Sequence, residues 1–319
     1  MKILFKIVIA WKNDNYGKVY YKKDNKSLMY EEFVEGVYAI YRRIGGRFMV
    51  TYAIIEKFSV ILIDPSAYTK DYIDEFLKLK KLDFKDIKAV IVTHGHPEHW
   101  SYAHKFAKKG VPVYVPESEV FDDPKKFPEI YGFYEKMPKP LKEKKNLTHG
   151  MKIKIGDGVL AIYYCGGHSF DHFFAVHTKS GILFCGSMLL EFPESPYKFL
   201  IDKSGDPEQR KKFFEAIVNL SLSGIAPAHG MPVLKNWLEV VRDAYNAQKS
   251  LQNEILYVLE KEKEVTPREI DEELRRRIDY IWSPEERTKY NYLTIEAFLR
   301  SFETKGLVEK QGKKWIYKG

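Results

Sequence analysis

Short apolar runs separated by turn residues dominate the first part of the chain. Two runs, Val37 to Tyr41 and Phe48 to Ile55, flank Gly45-Gly46, and a third, Val60 to Ile63, ends at Asp64-Pro65. Runs rich in β-branched and aromatic residues that stop at such turn signals are typical of strands. We therefore predict that the fold begins with a meander of strands.

The pattern then alternates between helix and strand. Apolar positions within Tyr72 to Lys81 recur at helical spacing, and the apolar run Ala89 to Val92 leads directly into a polar loop. A helix over 100–109 and a strand over 111–115 continue the alternation, and four further strands over 151–185 and a helix over 207–220 are predicted after a charged, Pro-rich insertion. The four strands are separated by Gly-Asp-Gly, Gly-Gly-His and Ser-Gly turns. The chain is thus predicted to form a layered α/β fold with its polar loops gathered at one edge.

From about Val240 onward the pattern predicts helices followed by a hairpin. Two helix starts combine an N-cap hydroxyl, a proline in the first turn and a glutamate that can close a capping box, at Thr266-Pro267-Arg268-Glu269 and Ser283-Pro284-Glu285-Glu286. A last helix near Tyr292 to Lys305 precedes two short strands that bracket Lys310 to Lys313. Three helices and a hairpin are typical of a winged helix, so we predict two domains, 1–240 and 241–319.

Composition agrees with a globular protein. The 319 residues are 45% apolar and 30% charged, with a formal net charge of +8. A positive surplus favours anionic partners such as RNA. Residues 241–319, however, hold 16 basic and 15 acidic residues, a net of +1, whereas a duplex-binding wing usually carries more charge. A small-molecule substrate and an RNA substrate both stay open, and a homo-oligomer is compatible with either.

The sparing use of cysteine predicts a reducing compartment. Only Cys165 and Cys185 occur, which argues against a disulfide framework and favours the cytoplasm. The opening Met1 to Trp11 is interpreted as a strand and not as an export signal, because Lys6 breaks its apolar run and no small-residue cleavage site follows. No stretch approaches the roughly 18 to 20 apolar residues that a membrane helix requires, so no membrane partner is expected.

A cluster of histidines follows the strand predicted over Ala89 to Val92. The segment His94-x-His96-x-Glu98-His99 places three imidazoles and a carboxylate within six residues. A loop after a strand can turn such a set towards one point, and neutral imidazole and carboxylate are ligands of divalent zinc, iron and manganese. The segment therefore predicts a metal site, with zinc as the first choice of ion.

This segment resembles the signature of the metallo-β-lactamase superfamily, which is His-x-His-x-Asp-His after an apolar strand. Four further matches occur in the family's order: a strand ending in Asp64, the Gly166-Gly167-His168 turn, the Phe184-Cys185-Gly186 strand end, and Pro227-Ala228-His229-Gly230. The resemblance covers about Gly36 to Val240. It implies an αββα sandwich, here followed by a winged-helix-like domain.

The resemblance also implies roles for single residues. The implied first metal site consists of His94, His96 and His168, and the implied second site consists of Glu98, His99 and His229. Asp64 resembles a carboxylate that orients the ligand loop. Glu98 stands where the family has Asp, and Ser187 stands where most of the hydrolases have an Asp that bridges two metals. β-Lactamases whose second site is Asp, His and His also have Ser there, so one or two metals per chain are both compatible.

The resemblance implies hydrolysis of an ester, thioester, lactone or phosphodiester by a metal-bound hydroxide, with Glu98 orienting or deprotonating the water. The alternative is a catalytically impaired module that binds nucleic acid or a protein partner through its winged helix.

The insertion over Pro116 to Lys145 is expected to overhang the site as a lid or a dimer contact. His172 is interpreted as an ordinary strand-end residue, and Cys185 as part of the core.

Overall fold

The computed structural model describes residues 18–20, 30–44, 47–126, 138–189, 201–278 and 284–319. The strand predicted over Met1 to Trp11, the N-cap predicted at Ser283 and the middle of the insertion at 116–145 lie outside these ranges.

Two sheets form the body of the molecule. Among the described residues, the first contains eight strands in sequence order, antiparallel from β1 to β5 and parallel from β5 to β8. They are β1 (Lys18–Tyr20), β2 (Tyr30–Val34), β3 (Val37–Ile44), β4 (Arg47–Glu56), β5 (Ser59–Ile63), β6 (Ile87–Ile91), β7 (Val113–Val115) and β8 (Lys145–Asn146). The predicted meander therefore corresponds to β3, β4 and β5.

In the part of the chain that the structure describes, the second sheet contains five strands in the order β13-β12-β11-β10-β9, with a parallel pair only between β12 and β13. They are β9 (Lys152–Ile155), β10 (Gly158–Tyr164), β11 (Phe173–His177), β12 (Ile182–Gly186) and β13 (Gly224–Pro227). Alternate residues of both sheets, such as Tyr52 on β4 and Phe184 on β12, pack into one buried core, with these two rings 5.2 Å apart. This is a β-sandwich core.

Helices cover the outer faces of the sandwich. They are α1 (Lys70–Leu79), α2 (Pro97–Trp100), α3 (Ala103–Ala107) and α4 (Pro207–Ile217). Phe76 of α1 packs in a buried apolar cluster on the outer face of the first sheet. Phe213 of α4 packs in the corresponding cluster on the outer face of the second sheet. The predicted layered α/β fold is confirmed.

The helix predicted over 100–109 is present but shorter, as α3 (Ala103–Ala107), and a separate short helix, α2 (Pro97–Trp100), precedes it. The chain is held between them by contacts outside the helices. The backbone N–H of Tyr102 donates to the carbonyl of Pro65, and the Ser101 hydroxyl accepts a hydrogen bond from the Ala67 N–H.

The described part of residues 237–319, here called the C-terminal unit, contains three helices and a small sheet. The elements are α5 (Trp237–Glu262), β14 (Glu264–Val265), α6 (Pro267–Arg277), α7 (Pro284–Thr304), β15 (Val308–Gln311) and β16 (Lys314–Tyr317), and the sheet order is β14-β16-β15. The capping box predicted at Thr266 and Glu269 is present. The separate helices predicted from Ser283 and near Tyr292 are wrong: α7 is continuous, since no Gly or Pro interrupts it after Pro284.

The helix α5 belongs to two cores. Val241, in its first turns, packs with residues of the sandwich such as Leu183, whereas Leu251 packs with the helices of the C-terminal unit. The domain boundary predicted at 240 therefore falls within a continuous helix, and it stays a prediction. Ile201, which precedes α4 in the chain, also packs in the core of the C-terminal unit.

Within the described ranges, no helix combines the length and the apolar character that a membrane span needs. Both cysteines are buried and free. The cytoplasmic location stays a prediction.

Candidate metal centre

The predicted ligands come together at one edge of the sandwich, where several strands end. Asp64 follows β5, the segment His94 to His99 follows β6, and His168 follows β10 by a short turn. Ser187 and His229 follow β12 and β13. The six side chains expected to bind metal form two buried groups that could each hold an ion, His94, His96 and His168 in one and Glu98, His99 and His229 in the other. Within each group the donor atoms lie within 4.8 Å of one another.

Three ring nitrogens face each other in the first group. His96 Nδ1 lies 3.1 Å from His94 Nε2 and 3.0 Å from His168 Nε2. In a tetrahedral zinc site with bonds of 2.0 to 2.1 Å, two nitrogens are separated by roughly 3.3 Å. The spacing of the three nitrogens is therefore close to that of a zinc site.

The hydrogen-bond network determines where the protons of this group lie. The Thr93 hydroxyl donates to Asp64 Oδ2 at 2.8 Å, so its oxygen accepts from His94 Nδ1–H at 3.0 Å. His96 Nε2 lies 3.0 Å from Asp202 Oδ2 and therefore carries the proton of that ring. When both rings are neutral, the lone pairs on His94 Nε2 and His96 Nδ1 point towards the same spot. A proton on His96 Nδ1 or a metal ion at that spot relieves their repulsion.

Hydrogen bonds also determine which ring nitrogens carry protons in the second group. His99 Nδ1 donates to Asp64 Oδ2 at 2.9 Å, and His229 Nδ1 donates to the carbonyl of Phe48 at 3.1 Å. Their Nε2 atoms therefore present lone pairs towards Glu98, whose Oε1 lies 4.0 Å and 3.7 Å away. The added methylene of Glu98 still brings its carboxylate to this group.

Two predicted supporting residues, Asp64 and Ser187, lie at different parts of the centre. Asp64 accepts hydrogen bonds from the N–H and the hydroxyl of Thr93, both at 2.8 Å, and from His99. It thereby fixes both ends of the ligand segment. Ser187 places its hydroxyl 3.2 Å from His99 Nε2, where it contacts a ligand of one group and does not bridge the two.

Three buried residues that the sequence did not identify as part of the site support it. Asp171 accepts from the N–H of Gly95 at 2.9 Å, and His172 stacks on His94 with ring centroids 4.7 Å apart. A Cβ at Gly95 would lie 2.8 Å from Asp171 Oδ2, so only glycine permits this approach. Asp171 lies in the same turn as His168, so its position in the sequence could have indicated that it belongs to the site. Asp202, which is 106 residues from His96, gave no sequence signal.

Burial and neighbouring charges shift the titration of these groups. Burial, together with the surrounding imidazoles, lowers the pKa of His94 well below its usual value. Burial also opposes charge on His96, but the hydrogen bond and charge of Asp202 outweigh it and raise the pKa of His96. Burial raises the pKa of Asp171 to about 6. The centre thus combines neutral imidazoles with a carboxylate-bound one.

Solved structures with the same architecture are numerous. A metallo-beta-lactamase family protein from Thermus thermophilus gives a TM-score of 0.73 at 17% identity and covers 90% of this chain and 100% of its own. A beta-lactamase domain protein from Burkholderia ambifaria gives 0.69 at 15%, with 91% and 94% covered. A metallo-beta-lactamase from Pontibacter korlensis gives 0.52 at 16%, with 70% and 99% covered. At such identities the likeness shows the fold alone.

The sequence itself matches a family profile. None of the curated proteins matches the chain significantly. The profile of the metallo-beta-lactamase superfamily, whose members are generally metal-dependent hydrolases, matches residues 45–258, more than half of the chain. The resemblance noted from the histidine segment is confirmed, and the chain belongs to the metallo-beta-lactamase superfamily.

Proposed function

We propose that this protein is a metal-dependent hydrolase of an ester, thioester, lactone or phosphodiester. The observation that carries the proposal is the pair of facing ring nitrogens, His94 Nε2 and His96 Nδ1, on rings whose outer nitrogens are hydrogen-bonded to Thr93 and Asp202. A divalent cation binds such preoriented nitrogens in their unprotonated form and displaces any proton from His96 Nδ1. Zinc is the first choice, and iron and manganese accept the same ligands.

Two ions per chain fit the donor sets better than one. The first would be held by His94, His96 and His168, and the second by Glu98, His99 and His229. Bound there, a divalent ion supplies Lewis acidity, which brings the pKa of a water at the site from about 15.7 to near 7 and polarises an oxygen of the substrate.

The chain's own groups would do the rest of the chemistry. Glu98, buried beside His229, would orient the attacking water and accept its proton. Asp64 would keep His99 in the tautomer that leaves Nε2 bare, and the Ser187 hydroxyl would donate to groups that approach this nitrogen. Burial of all these side chains excludes bulk water and strengthens each interaction.

The test combines metal content with turnover. Elemental mass spectrometry of the purified protein should give one to two equivalents of metal per chain, and His96→Ala and His229→Ala should lower that number. A panel of esters, thioesters, lactones and RNA should contain a substrate that wild type hydrolyses and His96→Ala does not. The matched control is His149→Ala, which changes a histidine that packs on Tyr163 and lies outside both groups. Wild type that binds no zinc, iron or manganese would overturn the proposal.

We also propose that residues 241–319 form a winged-helix-like domain and that residues 1–240 form the metallo-beta-lactamase-fold domain. The order helix, strand, helix, helix, strand, strand supports this interpretation.

The salt dependence of binding separates the substrate classes. Binding of RNA should weaken steeply as the salt concentration rises, whereas binding of a small ester should hardly change.

A further inference from the structure

Asp202 contacts two of the three histidines in the first group. Its backbone N–H donates to the carbonyl of His168 at 2.8 Å, and its Oδ2 lies 3.0 Å from His96 Nε2. One residue therefore fixes the backbone of one candidate ligand and the ring of another.

The Asp202 carboxylate is itself held in one orientation. Its other oxygen, Oδ1, accepts from the N–H and the hydroxyl of Ser204 at 2.7 and 2.6 Å. Four residues further on, the N–H of Asp206 donates to the carbonyl of Gly167 at 2.8 Å, and the Asp206 side chain caps α4. Backbone hydrogen bonds from Asp202 and Asp206 therefore hold the loop before α4 against the turn that contains His168.

The residue before Asp202 is anchored in a different part of the molecule. The Ile201 side chain is fully buried in the core of the C-terminal unit. Its N–H donates to the hydroxyl of Thr294, a fully buried residue of α7, at 3.2 Å. Two consecutive residues therefore join the core of the C-terminal unit to the metal centre.

Further contacts bind the same loop and α4 to the C-terminal unit. The guanidinium of Arg210 donates to Gln248 Oε1 on α5 at 2.8 Å, and the Gln248 amide donates to the carbonyl of Pro207 at 2.7 Å. Lys305 Nζ lies 2.6 Å from Glu208 Oε1. Because these contacts fasten the start of α4, a few residues after Asp202, the position of that carboxylate depends on the C-terminal unit.

We propose that Asp202 is a positioning residue for His96, and that the C-terminal unit holds Asp202 in place through Ile201 and Thr294. The proposal rests on the metal site of the proposed function. A carboxylate on the outer nitrogen of a ligating histidine fixes the tautomer and the ring orientation and raises the basicity of the inner nitrogen. The C-terminal unit then contributes to metal affinity without supplying a ligand.

The test measures affinity for Zn²⁺ alone, in the full-length protein, by competition with a chromophoric chelator, and the visible spectrum of the Co²⁺-loaded protein. Asp202→Asn should weaken Zn²⁺ binding about 10- to 100-fold and alter the Co²⁺ bands. Asp243→Asn is the matched control, because it makes the same change at an exposed residue of α5 that is outside the contacts holding this loop. It should leave the affinity and the spectrum unchanged.

The second pair of variants tests the contribution of the C-terminal unit. Thr294→Val removes the acceptor for the Ile201 N–H and should weaken Zn²⁺ binding about 2- to 10-fold, the range that one hydrogen bond spans. Thr304→Val, on the same helix, removes an exposed hydroxyl that bonds to the Arg300 carbonyl and should leave the affinity unchanged. Thermal melts identify any variant that is partly unfolded. Affinities are compared at least about 15 °C below the lower Tm, where a domain that has lost one contact is still folded.

The outcomes separate the two proposals. Wild-type affinity in Asp202→Asn overturns the role of Asp202, and wild-type affinity in folded Thr294→Val overturns the role of the C-terminal unit. Wild type that binds no metal overturns the proposed function together with this inference. Weakened Zn²⁺ binding in Asp202→Asn and Thr294→Val supports the inference even if no substrate in the hydrolysis panel is cleaved.

Discussion

His99 Nδ1 and Asp64 Oδ2 lie 2.9 Å apart in the interior, although 35 residues separate them in the chain. Asp64→Asn would replace one acceptor by an amide that can donate to this nitrogen, which favours the tautomer with the proton on Nε2. Metal affinity of the second group should fall about 10- to 100-fold. Elemental analysis after dialysis against a weak chelator measures the change. Asp157→Asn, at a side chain 64% exposed, should retain the wild-type stoichiometry, and equal metal content in both variants would contradict this prediction.

The buried His177 predicts a pH-dependent stability. Its Nε2 lies 3.1 Å from Glu56 Oε1, Lys179 Nζ lies 3.7 Å from the same oxygen, and burial lowers the pKa of His177 despite Glu56. The imidazole of His177 has a pKa near 6.5 in the unfolded chain and a lower pKa in the folded protein. Below about pH 6.5 the unfolded chain therefore binds a proton at this residue that the folded protein does not bind. Stability should fall as the pH drops from about 6.5 towards the folded pKa.

Urea unfolding of wild type and His177→Gln with chelator present, at several pH values between about 5 and 8, measures this effect. The other buried histidines whose pKa is lowered contribute in the same direction, so the comparison concerns the difference between the two proteins. The decline below about pH 6.5 should be shallower in the variant. Parallel curves would show that His177 does not contribute.

Phe76 of α1 should be a large contributor to stability. It is fully buried, and its ring centroid lies 5.2 Å from those of Tyr30 and Tyr38. Phe76→Ala should lower the free energy of unfolding by about 3 to 5 kcal/mol, because a cavity is left between the rings. Leu79→Ala, on the same helix at a side chain 47% exposed, should cost far less. Similar losses for both would contradict the described packing.

The capping box of α6 predicts a smaller effect. The Thr266 hydroxyl accepts from the Glu269 N–H at 3.3 Å, and Glu269 accepts from the Thr266 N–H at 2.7 Å. Thr266→Ala should lower the free energy of unfolding by about 1 kcal/mol, and Thr266→Ser should be nearly neutral. Chemical unfolding followed by circular dichroism distinguishes the two, and an equally large loss in Thr266→Ser would point to packing of the threonine methyl instead.

The sequence predicted those parts of the centre that local pattern determines. The segment His94 to His99 follows a strand directly, so the residues alone predicted a metal site there, whereas the roles of His168 and His229 were implied by the family resemblance. Asp202 could not be found, because nothing near it in sequence distinguishes it from a surface aspartate. The pattern predicts two helices where the structure has only α7, because the capping signal at Ser283 and the segment near Tyr292 each indicate a helix.

The shared helix α5 has a consequence for how the protein unfolds and how its parts evolve. Val241 and Leu251 lie on one continuous helix but belong to different cores, so melting the helix exposes apolar surface of both. We therefore expect the two halves to lose structure in one cooperative transition. Removal of the C-terminal unit would then not leave a folded sandwich behind, and recombination that exchanged this segment for an unrelated one would have to restore both surfaces at once.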